Sequence, residues 1–258
     1  MPRIIDLSKS IRYNAEDPWF MRVKIKHKRH NTAKWLIRFL GLPFRLFPKD
    51  FVGWADDTID TIKHMGVHST THIDVPWHYY PTVAGKLAKT IDQIPLEWCY
   101  GDGLVVNMSH KLDFEAITIY DIQQDLAKTG AVLKAGMIVL IKTGRDKFNG
   151  TKQFADVGTG MSKEATEWLI DKGIKVMGID QWGWDLPMRY MIQKAKETNN
   201  QHVFWQAHLV GREKEYCHIE QLVNMGALPP FGFKVWVFPL KIVGASAAPA
   251  RVVAILED

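Results

Sequence analysis

The stretch from Ser162 to Asp180 predicts a helix that leads directly into a buried strand. Ser162 can cap a helix over residues 163–172, whose apolar side chains share one face. Gly173 provides a stop, and residues 174–180 have the composition of the strand that follows. Helices and strands that alternate in this way favour an α/β fold.

Other segments extend the same pattern. Residues 136–144 form an apolar run closed by glycine, which is typical of a buried strand, and residues 119–129 have helical spacing. Two strands near the end, within 234–257, predict some antiparallel pairing. We find no internal repeat, linker, GxGxxG fingerprint or phosphate-binding loop. The sequence therefore predicts a single compact α/β domain with a mixed sheet over residues 1–258.

Composition limits the class of protein. A hydrophobic content of 47% and a charged content of 24% are ordinary for a globular chain. Cys99 and Cys217 are too few for a disulfide framework, so a reducing cytoplasm is expected. The N-terminal residues lack the apolar run of a secretory signal, and no stretch is apolar enough to span a bilayer.

The net charge of +5 is unevenly distributed. Residues 22–49 carry basic side chains without any acidic one, together with many apolar and aromatic residues. Such a segment can bind a membrane surface or nucleic acid, but its apolar residues form no clean stripe. The favoured interpretation is an insertion that packs on the body or on another subunit. We expect no nucleic-acid or membrane partner.

Four metal-ligand side chains lie close together in the run from His68 to His78. The four residues, His68, His72, Asp74 and His78, are separated by even numbers of positions. An unbroken extended segment would therefore present all four side chains on one face. Ile73, Val75 and Trp77 would then point towards a core. Pro76 lacks a backbone donor, which favours a strand edge, a strand end or a loop. The spacing predicts a divalent-metal site at the rim of a sheet.

A catalytic metal centre normally takes ligands from more than one segment of the chain. The later part of the chain offers six candidates, and residue chemistry alone does not choose among them: Asp180, Asp185, His202, His208, His218 and Glu220.

The run from His68 to His78 resembles the H-x-G-T-H-x-D-x-P-x-H motif of the cyclase family of metal-dependent hydrolases, which includes kynurenine formamidase, isatin hydrolase and trans-dienelactone hydrolase. Thr70 stands where the family has glycine, which bears on the shape of the pocket rather than on metal binding. The resemblance extends over about residues 50–258 and the first strand. It implies a swivelling β/β/α fold and assembly as a homodimer or homotetramer.

The resemblance also implies roles for particular residues. His68, His72 and Asp74 would bind a metal, and His208 and Glu220 would join them if a second ion is present. Asp74 would then bridge the two ions. His78 would transfer protons. His202 and His218 are expected to be structural or surface residues.

These ligands suit zinc and manganese alike, with one or two ions per subunit. A divalent ion lowers the pKa of a coordinated water towards about 7 and favours attack on a carbonyl carbon. Aromatic residues near the motif indicate an apolar or ring-shaped substrate, with Trp54 and Trp182 as the candidate pocket residues.

The sequence thus predicts a cytoplasmic metal-dependent hydrolase that cleaves an amide, cyclic amide or lactone bond of a small cyclic or aromatic metabolite. Two alternatives stay open. One is a lactone hydrolase or ring-closing dehydratase that uses the same metal. The other is a non-catalytic metal-binding protein that docks on anionic partners through residues 22–49.

Overall fold

The computed structural model describes residues 1–27, 39 and 61–256. Two compact units make up the chain: the first comprises Met1–Ser10 and Val67–Asp258, and the second comprises Ile11–Gly66. The strands are β1 (Arg3–Asp6), β2 (Lys24–Lys26), β3 (Thr61–His64), β4 (His72–Asp74), β5 (Thr82–Val83), β6 (Lys86–Leu87), β7 (Tyr100–Asn107), β8 (Ala116–Ile117), β9 (Ile138–Lys142), β10 (Gly160–Met161), β11 (Val176–Ile179), β12 (Cys217–Glu220), β13 (Phe233–Pro239) and β14 (Ala247–Leu256). The helices are α1 (Pro76–Tyr79), α2 (Ile119–Thr129), α3 (Gln153–Asp156), α4 (Lys163–Asp171) and α5 (Met188–Thr198).

Seven strands of the first unit close into a barrel. Their order is β14-β13-β7-β9-β11-β12-β4, and β4 pairs again with β14. Neighbours from β7 to β12 run parallel, whereas the pairs that involve β13, β14 and β4 are antiparallel. The predicted α/β fold with a mixed sheet is confirmed, including the antiparallel pairing of the last two strands.

Apolar side chains pack on both faces of this sheet. In β9, Ile138 and Leu140 belong to a cluster that draws on all seven barrel strands, so that cluster fills the interior. Val139 and Ile141 point the other way, into a second cluster that includes residues of α2 and α4. Strands buried on both faces read as continuous apolar runs rather than alternating ones, which explains the uninterrupted pattern in the sequence.

The helix–strand unit forms close to its predicted bounds. Ser162 caps α4, because its side chain accepts a hydrogen bond from the backbone N–H of Ala165. Ala165 and Leu169 are fully buried against the sheet. Gly173 follows the helix with a φ of +85°, a left-handed conformation that a glycine adopts without strain. Strand β11 then lies parallel to β9.

The second unit contains the antiparallel pair of β2 and β3, in which Lys24 lies opposite His64. Most of the basic segment predicted at 22–49 lies outside the described residues. The prediction that it is an insertion into a single domain stays a prediction. Across the part of the chain that the structure describes, none of the helices combines the length and apolar character needed to cross a bilayer.

Candidate metal centre

Two short antiparallel strands present four ligand side chains to each other. In the pairing of β4 with β12, His72 lies opposite Glu220 and Asp74 lies opposite His218. Side chains two residues apart share one face of a strand, so all four project from the same side of the sheet. The intervening pair, Ile73 opposite Ile219, points into the barrel interior.

The ligand run is not one extended segment, and that prediction is wrong. Strand β4 covers only His72–Asp74, and Pro76 is the first residue of α1. The helical turn brings His78 back to Asp74, four residues earlier, with 3.7 Å between His78 Nε2 and Asp74 Oδ2. Trp77 therefore does not enter the core, as parity predicted, but is 38% exposed. Nor is β4 at a rim, because it pairs with both β12 and β14.

Three buried histidines direct their Nε2 atoms at the two carboxylates. His72 donates from Nδ1 to the carbonyl oxygen of Thr70 over 2.6 Å. Its Nε2 lies 3.3 Å from Asp74 Oδ1 and 3.6 Å from Glu220 Oε2. His208 donates from Nδ1 to Asp185 Oδ2 over 2.5 Å, and its Nε2 lies 3.8 Å from Glu220 Oε1.

His218 is held in the same way by Tyr79. The Tyr79 hydroxyl donates its one proton to the carbonyl oxygen of Asp74 over 3.1 Å. It therefore accepts from His218 Nδ1, 3.2 Å away. The proton of a neutral His218 is thus on Nδ1, and the Nε2 lone pair faces Asp74 Oδ2 and Glu220 Oε1, each at 3.2 Å. An acceptor on the second ring nitrogen is the usual arrangement for a metal-binding histidine.

His68 and His78 form the more exposed side of the centre. His68 Nδ1 lies 2.9 Å from Asp74 Oδ1, and its side chain is 26% exposed. The His78 side chain is 22% exposed, and the two rings are 4.4 Å apart. Asp74 thus faces four histidines.

The donor set fits a divalent metal ion. Among the described residues, four buried polar atoms of the centre have no hydrogen-bond partner: His72 Nε2, His218 Nε2 and both carboxylate oxygens of Asp74. Buried polar atoms without partners are costly, and here they converge on one another. Two groups have ligand atoms close enough to share an ion. One is Asp74, His208, His218 and Glu220, and the other is His68, Asp74 and His78.

The electrostatics of the centre favour a cation. Burial alone would raise the pKa of Asp74, but the charges of His72, His68 and His78 hold that pKa well below its ordinary value. Burial alone would lower the pKa of His218, yet its contacts with Asp74 and Glu220 raise that pKa to about 9. Both shifts arise because the buried carboxylates and the imidazole rings around them stabilise each other's charged forms where water does not screen the attraction.

The pKa of His78 is shifted in the opposite direction to those of His72 and His218. Burial lowers its pKa to about 4, and the charges of His68 and His208 act in the same direction, although Asp74 opposes them. Its imidazole is therefore neutral at pH 7 and able to accept a proton.

Other polar residues have supporting or separate positions. Asp185 also accepts from the backbone N–H groups of Ala207 and His208, which fixes its carboxylate behind the His208 ring. Asp180 is buried elsewhere, where it accepts from Thr143 and Gly144.

Aromatic side chains line the centre on two sides. Trp184 is fully buried and stacks on His218 with 5.1 Å between ring centroids and 10° between planes. Trp205 stacks on His208 at 5.3 Å and lies 6.2 Å from the His78 ring. Trp205 is 36% exposed and has a φ of +50°, a strained conformation for a bulky residue. Strain of this kind is found most often at functional sites.

The structure brings together all six residues predicted as ligands or proton donor: His68, His72, Asp74, His78, His208 and Glu220. Their roles stay predictions. Of the two predicted pocket residues, Trp54 lies outside the described residues. Trp182 is half-buried, with its ring edge-on to Phe154 at 5.9 Å.

Sequence reasoning missed His218, which was expected to be structural or on the surface. It is fully buried in the centre of the ligand cluster. One signal was present: His218 is two residues from Glu220, so the two share a face of any strand that contains them. The sequence makes Asp185 a candidate ligand without assigning it a role, and it makes no prediction for Trp205.

Comparison with known proteins agrees with this architecture. Residues 5–186 match the family model described as "Putative cyclase". A search of curated proteins gave no match. Among the solved structures that resemble the chain are two isatin hydrolases and a potential metal-dependent hydrolase. An isatin hydrolase bound to the product analogue thioisatinate is 20% identical, with a TM-score of 0.76, over 100% of this chain and 93% of that one.

The other two have similar identity. Isatin hydrolase A from Ralstonia solanacearum is 22% identical, with a TM-score of 0.73, over 99% of this chain and 92% of that one. A potential metal-dependent hydrolase with cyclase activity is 22% identical, with a TM-score of 0.63, over 100% of both chains. At these identities, the likeness establishes the fold.

Proposed function

The chain belongs to the putative cyclase family, and we propose that it is a metal-dependent hydrolase that cleaves an amide, cyclic amide or lactone bond of a small cyclic or aromatic metabolite. The observation that carries this proposal is the convergence of unpartnered, buried ligand atoms from His72, Asp74 and His218. Solved structures with the same fold include isatin hydrolases and a potential metal-dependent hydrolase, which supports the same reaction class.

The metal would be held by His68, His72 and Asp74, and a second ion by Asp74, His208 and Glu220. A bound divalent ion supplies a Lewis acid that polarises a carbonyl and lowers the pKa of a coordinated water towards about 7. Nitrogen and oxygen donors of this kind suit zinc and manganese.

His78 is the residue that we propose moves the proton. Its ring lies at the exposed side of the centre, and its neutral state at pH 7 lets Nε2 accept a proton from an attacking water. The same atom can return that proton to the leaving nitrogen or oxygen. An amide bond and a lactone bond both fit this sequence of steps, because hydrolysis of either one leaves a carboxylate and a protonated nitrogen or oxygen leaving group.

Trp205 supports the proposed substrate class. Its ring lies beside both His78 and His208, so a flat ring stacked on it would place a neighbouring carbonyl close to the ligand cluster. Trp182 stays a second, more distant candidate for the pocket wall, as does Trp54.

The experiment combines metal analysis with a substrate screen. We expect purified protein to contain zinc or manganese at one or two ions per chain and to hydrolyse at least one of isatin, an aryl formamide or a lactone. Asp74→Asn should abolish both properties. The matched control is His202→Ala, since His202 lies on an exposed turn.

The outcomes separate the alternatives. Hydrolysis of lactones alone would favour a lactone hydrolase, and loss of water with ring closure would favour a dehydratase on the same site. Stoichiometric metal without turnover of any substrate class would favour the non-catalytic alternative. Absence of metal, even after reconstitution, would overturn the proposal.

One further property is proposed from the family resemblance alone. We propose that the chain assembles as a homodimer or homotetramer, which light scattering coupled to size-exclusion chromatography tests. The cytoplasmic location stays a prediction.

A further inference from the structure

We infer that His218 is the fourth protein ligand of an inner metal site. An ion held there has no open position for water or substrate. The substrate is therefore activated at an outer metal site beside it. The inner site is defined as Asp74, His208, His218 and Glu220, and the outer site as His68, His72 and Asp74. The inference rests on the proposed function, whose expected second-site ligands include His208 and Glu220 but not His218.

The His218 ring is fixed in the orientation that a ligand needs. It is sandwiched between Trp184 at 5.1 Å and Tyr79 at 5.1 Å, with interplanar angles of 10° and 27°. The Tyr79 hydroxyl accepts from Nδ1, so Nε2 has a free lone pair when the ring is neutral. This lone pair points at Asp74 and Glu220, whose oxygens are acceptors too. His218 Nε2 thus lies 3.2 Å from one carboxylate oxygen of each residue, an arrangement of nitrogen and oxygen donors that can bind a cation.

The spacing of the donors suits a small tetrahedral ion. Donors bound at about 2.0–2.1 Å lie about 3.3–3.4 Å apart in a tetrahedron. His218 Nε2 is 3.2 Å from Asp74 Oδ2 and 3.2 Å from Glu220 Oε1. His208 Nε2 is 3.8 Å from the same Glu220 oxygen, and all four donor atoms lie within 4.8 Å of one another. Four protein donors complete a tetrahedron and leave no position for water.

The two sites differ in their access to solvent. All four residues of the inner site are buried, with exposures of 1% for Asp74, 5% for His208, 0% for His218 and 7% for Glu220. In the outer site, the His68 side chain is 26% exposed and lies beside the proton acceptor His78.

Asp74 divides its carboxylate between the two sites. Oδ1 faces His68 at 2.9 Å and His72 at 3.3 Å, whereas Oδ2 faces His218 at 3.2 Å and, at the longer distance of 3.7 Å, His78. Each oxygen can therefore serve a different ion. An ion with four protein ligands leaves no position for water or substrate, whereas an ion with three protein ligands keeps a position open, so the outer ion is the one that acts on substrate.

The test uses cobalt(II) in the intact protein. The metal-free protein is loaded with cobalt, and a chelator is then added in steps while cobalt content, visible absorption and turnover are followed. We expect two ions per chain. The first to leave should abolish turnover, and the one that is retained should keep the strong visible absorption of a tetrahedral cobalt centre.

Variants assign the retained ion to His218. In His218→Ala, water can fill the vacated position, so the absorption should weaken. Affinity for the retained ion should fall by more than the roughly 10–100-fold typical of a lost outer partner. His218→Gln serves as a second variant of similar size, and His202→Ala is the matched control. Circular dichroism establishes that each variant is folded.

Several results would contradict the closed inner site while leaving the proposed hydrolase function intact. Removal of both ions together, turnover that survives with the retained ion alone, or a single ion per chain would each contradict a closed inner site. So would a His218 variant that keeps both the affinity and the tetrahedral absorption. No cobalt binding at all would overturn the proposed function as well.

Discussion

Each of the three buried imidazoles of the metal centre donates its Nδ1 proton to a different kind of acceptor. His72 uses a backbone carbonyl, His218 uses the Tyr79 hydroxyl and His208 uses the Asp185 carboxylate. A carboxylate increases the basicity of an imidazole more than a neutral acceptor does, because it stabilises positive charge on the ring. Among these three residues, His208 is the one whose Nδ1 proton is accepted by a charged group, so its orientation and its strength as a metal ligand should depend on Asp185.

Asp185→Asn tests that dependence. The substitution keeps the size of the side chain but removes the charge behind His208, so affinity for the metal should fall by about 10–100-fold. Competition with a coloured chelator measures this change. Asp156→Asn is the matched control, because Asp156 pairs with Arg189 away from the centre. Equal affinities in the two variants would contradict the argument.

His78→Asn separates proton transfer from metal binding. The variant should lower kcat by about 10²–10⁴-fold, since it removes the proton acceptor. Metal content should stay at the wild-type level, whereas Asp74→Asn should lose the metal. Metal analysis beside steady-state kinetics gives both quantities. Loss of metal from His78→Asn would instead make His78 a ligand, as its distance of 3.7 Å from Asp74 permits.

At the scale of elements, the four-residue helix α1 forms hydrogen bonds with two neighbouring strands, β4 and β12. Tyr79 on α1 donates to the carbonyl of Asp74 in β4 and accepts from the backbone N–H of His218 in β12. Its ring also stacks on Tyr216 at 4.7 Å, just before β12. Gly211 leaves the room that this ring needs, because a Cβ there would lie 2.2 Å from Tyr79 Cδ2.

Tyr79→Phe should weaken this connection. The variant keeps the ring but leaves a buried carbonyl and a buried N–H without their partner, so the free energy of unfolding should fall by about 1–3 kcal/mol. Chemical denaturation of the metal-free protein measures it. Tyr120→Phe is the control, because Tyr120 is 68% exposed. An unchanged free energy for Tyr79→Phe would show that the hydroxyl does not stabilise the strands.

The elements also show where sequence reasoning succeeds. Helix α2 and the unit of α4 with β11 were predictable, because local capping and apolar patterning determine them. Strand β12 was not, since Cys217–Glu220 is short and mixes ligand with apolar residues. The start of helix α1 at Pro76 was missed because the alternation of side chains between two faces holds only in an extended chain. Proline is nevertheless well suited to the first position of a helix. His218 was missed because its partner strand is remote in sequence.

At the scale of the whole molecule, the barrel buries titratable groups that take no part in the metal centre. Asp180 at the end of β11 is 1% exposed. Burial raises its pKa from 3.8 to about 6, although hydrogen bonds from Thr143 and Gly144 act in the opposite direction. The folded protein therefore binds this proton more tightly than the unfolded chain does. Its contribution to stability is full below about pH 4 and is lost as pH rises through about 6.

Asp180→Asn should remove this pH dependence. A shift of this size corresponds to about 3 kcal/mol in full, of which wild type should lose about 2 kcal/mol relative to the variant between pH 4 and pH 7. Denaturation of both metal-free proteins across this range measures the difference. A difference that does not vary with pH would mean that Asp180 ionises in the folded protein as it does in the unfolded chain.

The closure of the barrel by β4 has a consequence for biosynthesis. Among the described strands, β4 pairs with β12 and β14, and the adjacent Thr71 donates to the carbonyl of Gln221, 150 residues further along the chain. On the ribosome, the ligands of the motif therefore emerge long before their partners. The side chains of His208, His218 and Glu220 join the motif only after β12 has been synthesised, and the strand pairs that hold β4 in the barrel are complete only after β14.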